Sequence, residues 1–342
     1  MGGFAQSEVA MRVSAEAGKD KYLSMRLVTL EEYLEYVKTH SVVRIEDEEI
    51  AVGKPYRIER YQPDDFSLET TTVWSFPDRG DWATHRGDYR GNWAPQIARN
   101  LILRYSRPGE LVLDQMCGGG TTLVECKLLG RNAIGVDINY EAVILTLDRL
   151  NFNYKPLDLD YREPIIKVYH GDARNLDLIE DESIDLIATH PPYANIIPYS
   201  KTRKVEGDLS QVYSLEEYLK GMREIAEESF RVLKPGRFCA ILIGDTRKHR
   251  HYVPIAFRVM QQFLDVGFIL REDVIKVQWH TKTTGRKWVG LAKTADECWV
   301  EKPEGKRYWT DFYLISHEHL FVFRKPGKSE ELDEYRDSVK WW

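Results

Sequence analysis

The sequence predicts an α/β fold in which helices cover both faces of a mostly parallel sheet. From Gly109 onward, apolar segments of strand length alternate with segments of helix length. This alternation is typical of parallel sheets, because parallel strands need crossover connections that are usually helices. The seven predicted strands, in chain order, are ELVLDQ, NAIGVDI, IIKVYHGD, SIDLIATH, RFCAILIGD, GFILREDVIKVQW and HLFVFRK.

Helices are predicted between these strands at residues 121–130, 139–151, 214–233 and 253–266. Ser214, followed three residues later by Glu217, forms a capping box at the start of the third helix. Lys234-Pro235-Gly236 ends the same helix, because proline cannot continue it and glycine favours the turn that follows. Ligands of such sheets bind beyond the C-terminal ends of the strands, so the residues directly after each strand are the candidates for a site.

Residues 1–70 are predicted to be an N-terminal extension, and residues 71–342 the main domain. Thr29 and Glu32 form a second capping box, which predicts a short amphipathic helix after Thr29. Residues 41–61 are predicted to form one or two strands. We identify no chemistry in the extension.

The composition is that of a globular protein, with 43% hydrophobic residues in a chain of 342. No stretch approaches the roughly 20 apolar residues that span a bilayer, and the N-terminus has no apolar signal-peptide core. We therefore expect a soluble, cytoplasmic protein without a membrane partner. Cys117, Cys126, Cys239 and Cys298 show neither a CxxC pair nor Cys/His ligand spacing, so we expect no metal site and no disulfide framework.

The net charge of −6 is unevenly distributed along the chain. Residues 246–288 contain nine Lys or Arg against three Asp or Glu, a local balance of +6, and the rest of the chain carries about −12. This asymmetry suits a polyanion-binding face on an otherwise acidic body. Ordinary solvated surface is the alternative that charge alone leaves open.

A glycine-rich turn leads from the first predicted strand into the first predicted helix of the main domain. It has the sequence Asp114-Gln115-Met116-Cys117-Gly118-Gly119-Gly120-Thr121-Thr122. Glycines let the backbone turn tightly and approach a ligand closely. The spacing matches neither the G-x-G-x-x-G fingerprint nor the P-loop, so neither a dinucleotide nor a nucleoside triphosphate is favoured. A structural loop is the open alternative.

Acidic residues also follow the next two predicted strands. Asp137 lies about 20 positions after the glycine turn, where a carboxylate can accept hydrogen bonds from both hydroxyls of a ribose. Asp172 ends the third strand, where it could accept the amino group of an adenine. Each acid alone could cap a helix. Together with Asp114, they describe an adenosine site.

The fourth predicted strand ends in His190-Pro191-Pro192-Tyr193. The prolines fix φ and remove two N–H donors, which is expected to leave their carbonyls as unpaired acceptors. The tyrosine ring could stack on a planar base. Acceptors that hold the hydrogens of a base amine favour its attack on a methyl sulfonium, because they assist the change toward tetrahedral nitrogen. A structural turn is the alternative.

These motifs resemble those of amino-methyltransferases that act on cytosine N4 or adenine N6 of nucleic acid. Asp114 to Thr122 resembles their D-P-F-x-G-S-G-T-T motif, and His190 to Tyr193 resembles their [S/D/N]-P-P-[Y/F/W] motif. Asn92-Trp93-Ala94-Pro95 resembles the segment that holds the methionine end of the cofactor. The resemblance covers roughly Val73 to Lys325.

The resemblance implies a Rossmann-like S-adenosylmethionine (SAM) methyltransferase fold with a mostly parallel, seven-stranded sheet. It implies SAM as the cofactor and a catalytic turn formed by His190, Pro191, Pro192 and Tyr193. The residues expected to bind SAM are Asn92, Trp93, Asp114, Met116, Cys117, Gly118, Gly120, Thr121, Thr122, Asp137, Ile138, Asp172 and Ala173.

The chain departs from the family pattern in three respects. Gln115 and Gly119 replace the Pro and Ser of the glycine-rich motif, and His190 stands where relatives have Ser, Asp or Asn. A neutral imidazole accepts through only one nitrogen, so the Pro191 carbonyl is expected to be the main acceptor for the amine. The cofactor motif also precedes the catalytic motif, and no long insertion marks a DNA target-recognition domain.

Basic residues interleaved with aromatics suggest a face for an unstacked base flanked by phosphates. They lie at 197–204 and 246–290, and the residues expected to bind substrate are Tyr199, Lys201, Arg203, Arg247, Arg286, Lys287 and Trp288. The chain also resembles a branch in which ribosomal-RNA cytosine N4 methylation is known. That resemblance favours structured RNA, with the ribosome or its subunit as a partner and N4,N4-dimethylcytidine as one product.

Other functions remain open at this stage. The first alternative is a site-specific DNA methyltransferase that acts on cytosine N4 or adenine N6. The second is a small-molecule or protein N-methyltransferase, which would not require the His-Pro-Pro-Tyr turn or a basic face. A nucleic-acid-binding module without activity is the third.

Overall fold

The computed structural model describes residues 21–45, 48–89, 91–157, 161–193, 205–279, 299–301, 307–309 and 312–339. The helices are α1 (Leu30–Thr39), α2 (Pro95–Tyr105), α3 (Thr121–Leu129), α4 (Tyr140–Leu150), α5 (Leu215–Val232), α6 (Ile255–Val266) and α7 (Arg336–Val339). The strands are β1 (Arg26–Val28), β2 (Val42–Ile45), β3 (Glu48–Ala51), β4 (Val73–Ser75), β5 (Leu111–Asp114), β6 (Asn132–Asp137), β7 (Ile166–His170), β8 (Ile184–Thr189), β9 (Leu233–Ile243), β10 (Thr246–Lys248), β11 (His251–Val253), β12 (Ile269–Val277), β13 (Trp299–Glu301), β14 (Arg307–Trp309) and β15 (His317–Arg324).

The main sheet has nine strands in the order β1-β7-β6-β5-β8-β9-β15-β12-β4. The seven predicted strands are confirmed and lie next to one another in its centre. The predicted count of seven is too low, because β1 and β4 extend the sheet at its two edges. Each of these edge strands has three residues, of which one is buried. Such short segments carry no apolar pattern from which a strand could be predicted.

Strands β5 to β9 pair in parallel, whereas β15 runs antiparallel to both of its neighbours. The first residues of β15 therefore lie at the same edge of the sheet as the last residues of β9 and β12. The register places His319 opposite Ile243 and Glu318 opposite Lys276. This edge, where the parallel strands end, is called the C-terminal edge below.

Helices cover both faces of the sheet, as predicted. One hydrophobic core contains side chains of α1 to α4, and the other contains side chains of α5 and α6. Neighbouring strand residues contribute to opposite cores, as with Val112 and Leu113 of β5. This alternation follows from the pleat of a strand, which points successive side chains to opposite faces.

Both predicted capping boxes start helices. The Thr29 hydroxyl accepts the Glu32 N–H at 3.2 Å, and the Ser214 hydroxyl accepts the Glu217 N–H at 3.4 Å. Helix α2 lies just before β5 and was not predicted. The predicted domain boundary at residue 70 stays a prediction, although β1, within the expected extension, pairs with β7 of the main sheet. None of the helices in the described part of the chain combines the length and apolarity needed to cross a bilayer.

Candidate active site at the C-terminal edge of the sheet

The glycine-rich turn between β5 and α3 is held closely against the chain's own side chains. Gly118 and Gly120 have positive φ angles of 51° and 77°, which other residues adopt only with strain. A Cβ atom on Gly118 would lie 2.7 Å from the Tyr89 ring, and one on Gly119 would lie 2.2 Å from the Arg149 guanidinium. The glycines are thus required by internal packing, whatever ligand the turn binds.

Asp114 links this turn to β8, the strand that leads into the His190-Pro191-Pro192-Tyr193 turn. The hydroxyl of Thr122 donates to one carboxylate oxygen at 2.5 Å, and the hydroxyl of Thr189, the last residue of β8, donates to the other at 2.8 Å. Burial raises the pKa of Asp114 to about 6, and these hydroxyls oppose that rise. Asp114 therefore fixes the relative position of β5, α3 and β8.

Asp137, at the end of β6, is held by two backbone donors. Its two oxygens accept backbone N–H groups of Gly118 at 2.8 Å and of Asn139 at 2.9 Å. A carboxylate oxygen has two lone pairs, so each oxygen keeps one acceptor site. Burial raises the pKa of Asp137 to about 7, and the nearby carboxylate of Asp208 adds to the rise. Ile138 follows it, partly buried.

Asp172, after β7, is already engaged by an arginine. The Arg174 guanidinium donates to both carboxylate oxygens, at 2.9 and 2.5 Å, and also to the Gly207 carbonyl at 2.6 Å. Asp172 and the adjacent Ala173 are buried. An adenine amine at Asp172 would therefore share the carboxylate with Arg174, and this role stays a prediction.

The fold brings the predicted cofactor segment onto both motifs. The Thr121 hydroxyl at the start of α3 donates to the Asn92 side-chain oxygen at 2.5 Å. The Trp93 ring stacks on the His190 ring, with centroids 6.0 Å apart and planes 18° apart. Asn92 and Trp93 thus connect the glycine turn to the catalytic turn. Met116 and Cys117 belong to the glycine-rich turn, where Met116 is partly buried and Cys117 is buried.

The catalytic turn differs in one respect from the prediction that the carbonyls of both prolines are unpaired acceptors. The Tyr218 hydroxyl of α5 donates to the Pro192 carbonyl at 2.9 Å, so this carbonyl is not an unpaired acceptor. No described residue donates to the Pro191 carbonyl, which keeps that atom as the candidate acceptor. The Tyr193 ring lies over Gly244, where a Cβ would come within 3.0 Å of it.

Two functional candidates were missed by the sequence analysis. Glu318 is buried at the start of β15, and its carboxylate accepts the Tyr193 hydroxyl at 2.5 Å. Lys276 of β12 donates to the same carboxylate at 2.9 Å. Lys276 falls within the basic segment predicted at 246–290, and in the structure its ammonium forms this internal ion pair. The available signal was the polar sequence His317-Glu318-His319 directly before the apolar part of an antiparallel strand.

The basic segments are described only in part. Tyr199, Lys201, Arg203, Arg286, Lys287 and Trp288 lie outside the described residues. Arg247 braces the β10–β11 hairpin, because its guanidinium donates to the carbonyls of Tyr313 and Arg250, both at 3.1 Å. The hairpin tip, residues 248–251, is exposed, and His249 and Arg250 have positive φ angles of 51° and 70°. Trp279 is half exposed and is not a core residue.

Comparison with known proteins identifies a family. The sequence model of a family described as DNA methylase matches residues 19–147 and 184–341, which is most of the chain. The Type II methyltransferase M.BglII of Bacillus subtilis is 31% identical over 155 residues, or 44% of this chain and 39% of that protein. A tRNA (guanine(10)-N2)-dimethyltransferase of Methanothermobacter thermautotrophicus is 36% identical over 106 residues, or 31% of this chain and 29% of that protein.

The chain thus spans well under half the length of these two relatives. Among solved structures, a SAM-dependent methyltransferase of Methanosarcina mazei is similar with a TM-score of 0.40 and 16% identity. That match covers 66% of this chain and 97% of the other.

Proposed function

Because this chain belongs to the DNA methylase family, we propose that it transfers a methyl group from SAM to the exocyclic amine of a base in nucleic acid. One observation carries the proposal. The Thr189–Asp114 hydrogen bond and the Trp93–His190 stack hold the catalytic turn against the glycine-rich turn. A cofactor turn and an amine-binding turn on adjacent parallel strands suit direct transfer between two ligands held side by side.

The residues of the glycine-rich turn, and those beside it at the C-terminal edge, fit SAM. Asp137 is buried but keeps one acceptor site on each oxygen, which suits two ribose hydroxyls. The Asn92 side chain and the Gly118 to Thr122 turn lie beside it and would hold the rest of the cofactor. When bound, SAM supplies a methyl group on a sulfonium. The chain's own residues bind the two substrates and orient them.

We assign the amine to the catalytic turn. The Pro191 carbonyl and the imidazole of His190 accept the hydrogens of the amine. Tyr193 stacks on the base. Burial lowers the pKa of His190, and the Glu318 carboxylate opposes this. The lowered pKa keeps the imidazole neutral near pH 7, as an acceptor must be.

The finer substrate assignment is cytosine N4 in structured RNA, with ribosomal RNA as the first candidate. The exposed basic tip at 248–251 lies a few residues beyond Gly244, which packs against Tyr193, and it suits the phosphates that flank a target base. Guanine N2 in transfer RNA is a second candidate, because relatives of that name are 36% identical to this chain over about 30% of its length. Site-specific DNA methylation is the third, because Type II methyltransferases are also among the relatives.

One assay separates these substrates. The protein is incubated with methyl-labelled SAM and separate pools of ribosomal RNA, intact ribosomes, transfer RNA and DNA. Labelled product is then digested to nucleosides and identified by mass spectrometry. We expect methylated cytidine from the ribosomal pools. Methylated guanosine from transfer RNA, or label only in DNA, would replace the cytosine assignment, and label in none of the pools would overturn the proposed function.

A further inference from the structure

A chain of hydrogen bonds leads from Lys276 to the catalytic imidazole. The Lys276 ammonium contacts Glu318 Oε2 at 2.9 Å, and Glu318 Oε1 accepts the Tyr193 hydroxyl at 2.5 Å. The Tyr193 oxygen lies 2.9 Å from His190 Nε2. These side chains come from β12, β15 and the turn after β8, so only the sheet order brings them together.

The protons in these hydrogen bonds have one consistent arrangement. Burial acts to raise the pKa of Glu318, but Lys276, His190 and Tyr193 outweigh it, so the pKa is lowered and the carboxylate is ionised. Burial also raises the pKa of Tyr193 well above its usual value, and nearby carboxylates of Glu318 and Asp245 add to this. A neutral phenol beside a carboxylate must donate to it, because two acceptors at this distance repel.

The Tyr193 oxygen is therefore left to accept a proton from the imidazole, which places that proton on His190 Nε2. In a neutral imidazole the other nitrogen, Nδ1, then carries a lone pair. That atom is buried and makes no well-formed hydrogen bond to a described residue, although the backbone of Gly91 lies near enough to the ring to raise its pKa. A buried acceptor without a partner is unfavourable, and a bound amine would supply the missing donor.

On the basis of the function proposed above, we propose that Lys276 and Glu318 act through Tyr193 as positioning residues for the catalytic imidazole. They hold His190 as the Nε2–H tautomer, with Nδ1 as acceptor for the target amine. In the transfer, the amine nitrogen bonds to the methyl carbon, the carbon–sulfur bond breaks with its electron pair left on sulfur, and the amine loses a proton. His190 Nδ1 takes that proton and later releases it to water.

The charges around the imidazole predict opposite effects of the two positioning residues. Burial lowers the pKa of His190, and the Glu318 carboxylate raises it. Lys276 and Arg79 lower it further, and the backbone of Gly91 raises it. Removal of the carboxylate should therefore lower the pKa of His190, whereas removal of the ammonium should raise it.

The first test reads the tautomer directly, without SAM or nucleic acid. The protein is labelled with ¹⁵N-histidine, and long-range proton–nitrogen NMR spectra are recorded, with the His190→Gln variant identifying the signal among nine histidines. We expect the Nε2–H tautomer at neutral pH in the wild type. Tyr193→Phe leaves Nε2–H without its acceptor and should give a mixture of tautomers. A proton on Nδ1 in the wild type, directed to the backbone of Gly91, would overturn the proposal.

The second test measures single-turnover methyl transfer against pH. The neutral imidazole is the active form, so the rate falls as pH drops through the pKa of His190. We expect Glu318→Gln to shift this fall to lower pH and Lys276→Met to shift it to higher pH, each by about half a unit or more. The NMR titration of His190 should move in the same two directions.

A matched control comes from the other end of β8. Lys234 forms a 2.7 Å ion pair with Asp185, near the start of that strand, and Lys234→Met should leave the profile in place. If Glu318→Gln and Lys276→Met shift the pH profile in the same direction, or if neither shifts it, the positioning role is overturned. If Lys276→Met unfolds, the Glu318→Gln shift and the tautomer remain decisive. If wild-type protein methylates no nucleic acid, the proposed function fails, and the tautomer is still measured.

Discussion

Single residues at the C-terminal edge of the sheet have roles that depend on their hydrogen-bond partners. Asp114, Asp137 and Asp172 were all predicted as cofactor ligands because each follows a strand. Asp114 accepts the hydroxyls of Thr122 and Thr189 and so links β5 to α3 and β8, and Asp172 is paired with Arg174. Asp137 is the carboxylate whose geometry leaves acceptor sites for a ribose.

SAM binding is expected to depend on the ionisation of Asp137. Burial holds the pKa of this carboxyl at about 7 without ligand, and ribose hydroxyls donate to its ionised form. The group is protonated below that pKa, so SAM affinity should rise with pH and reach its limit above it. At pH 6 it should be about tenfold weaker than at pH 8. Isothermal titration calorimetry measures this and the accompanying proton release.

The control is the Asp137→Asn variant, which has almost the same shape but cannot ionise there. Its SAM affinity should be at least about tenfold weaker at pH 8, because charge-assisted hydrogen bonds are lost. It should also lose most of the pH dependence. Equal affinities of the wild type at pH 6 and pH 8 would show that Asp137 is not the ribose ligand.

At the scale of elements, the β10–β11 hairpin joins the catalytic edge to an exposed basic tip. Its two turn residues, His249 and Arg250, adopt left-handed conformations without glycine, which carries strain. Arg247 supports the turn from within, between the Tyr252 and Phe312 rings. The role of Arg247 in substrate binding stays a prediction, and we propose the exposed tip beside it as a further phosphate-binding element.

Removal of two charges from the tip should weaken nucleic-acid binding. We expect the double variant Lys248→Gln, Arg250→Asn to reduce the slope of log affinity against log salt by about 1–2, because fewer counterions are released. Asparagine is chosen because it tolerates the left-handed conformation. SAM affinity should not change. Filter binding of labelled RNA at several salt concentrations measures the slope.

The matched control removes two exposed charges elsewhere, with Lys54→Gln and Arg57→Gln. Its salt slope should equal that of the wild type. If the control and the tip variant have the same salt slope, the tip is ordinary solvated surface and not a phosphate-binding element.

At the scale of the whole molecule, a buried polar network joins the segment before α2 to the helix after the glycine turn. Glu125 of α3 is fully buried and accepts from Trp82 at 2.7 Å, from His85 at 2.8 Å and from Arg99 at 2.9 Å. Burial lowers the pKa of His85, which favours its neutral form. This network holds the segment that leads to Asn92 and Trp93 in place.

Glu125→Gln should destabilise the protein by about 3–5 kcal/mol, because it leaves the Arg99 charge buried without its partner. An amide also has one acceptor oxygen where the carboxylate uses two. Thermal unfolding followed by circular dichroism should show a clear loss of Tm. Glu49→Gln serves as the control, because Glu49 pairs with Arg44 at the surface and its loss should cost at most about 1 kcal/mol. Similar Tm values for both variants would contradict a stabilising role for the network.

The sequence by itself determined the elements and the two motifs on which the proposed chemistry rests. Seven strands of the main sheet, five helices, the two capping boxes and the two motifs follow from local patterns, because hydrophobic period, caps and glycine positions act within a few residues. Only the tertiary structure decided the partners across the sheet. Glu318 and Lys276 reach Tyr193 because β15 is antiparallel and lies between β9 and β12. The Tyr218 hydroxyl donates a hydrogen bond to the Pro192 carbonyl because α5 packs against the catalytic turn. Such contacts join residues far apart in the chain, so no local pattern contains them.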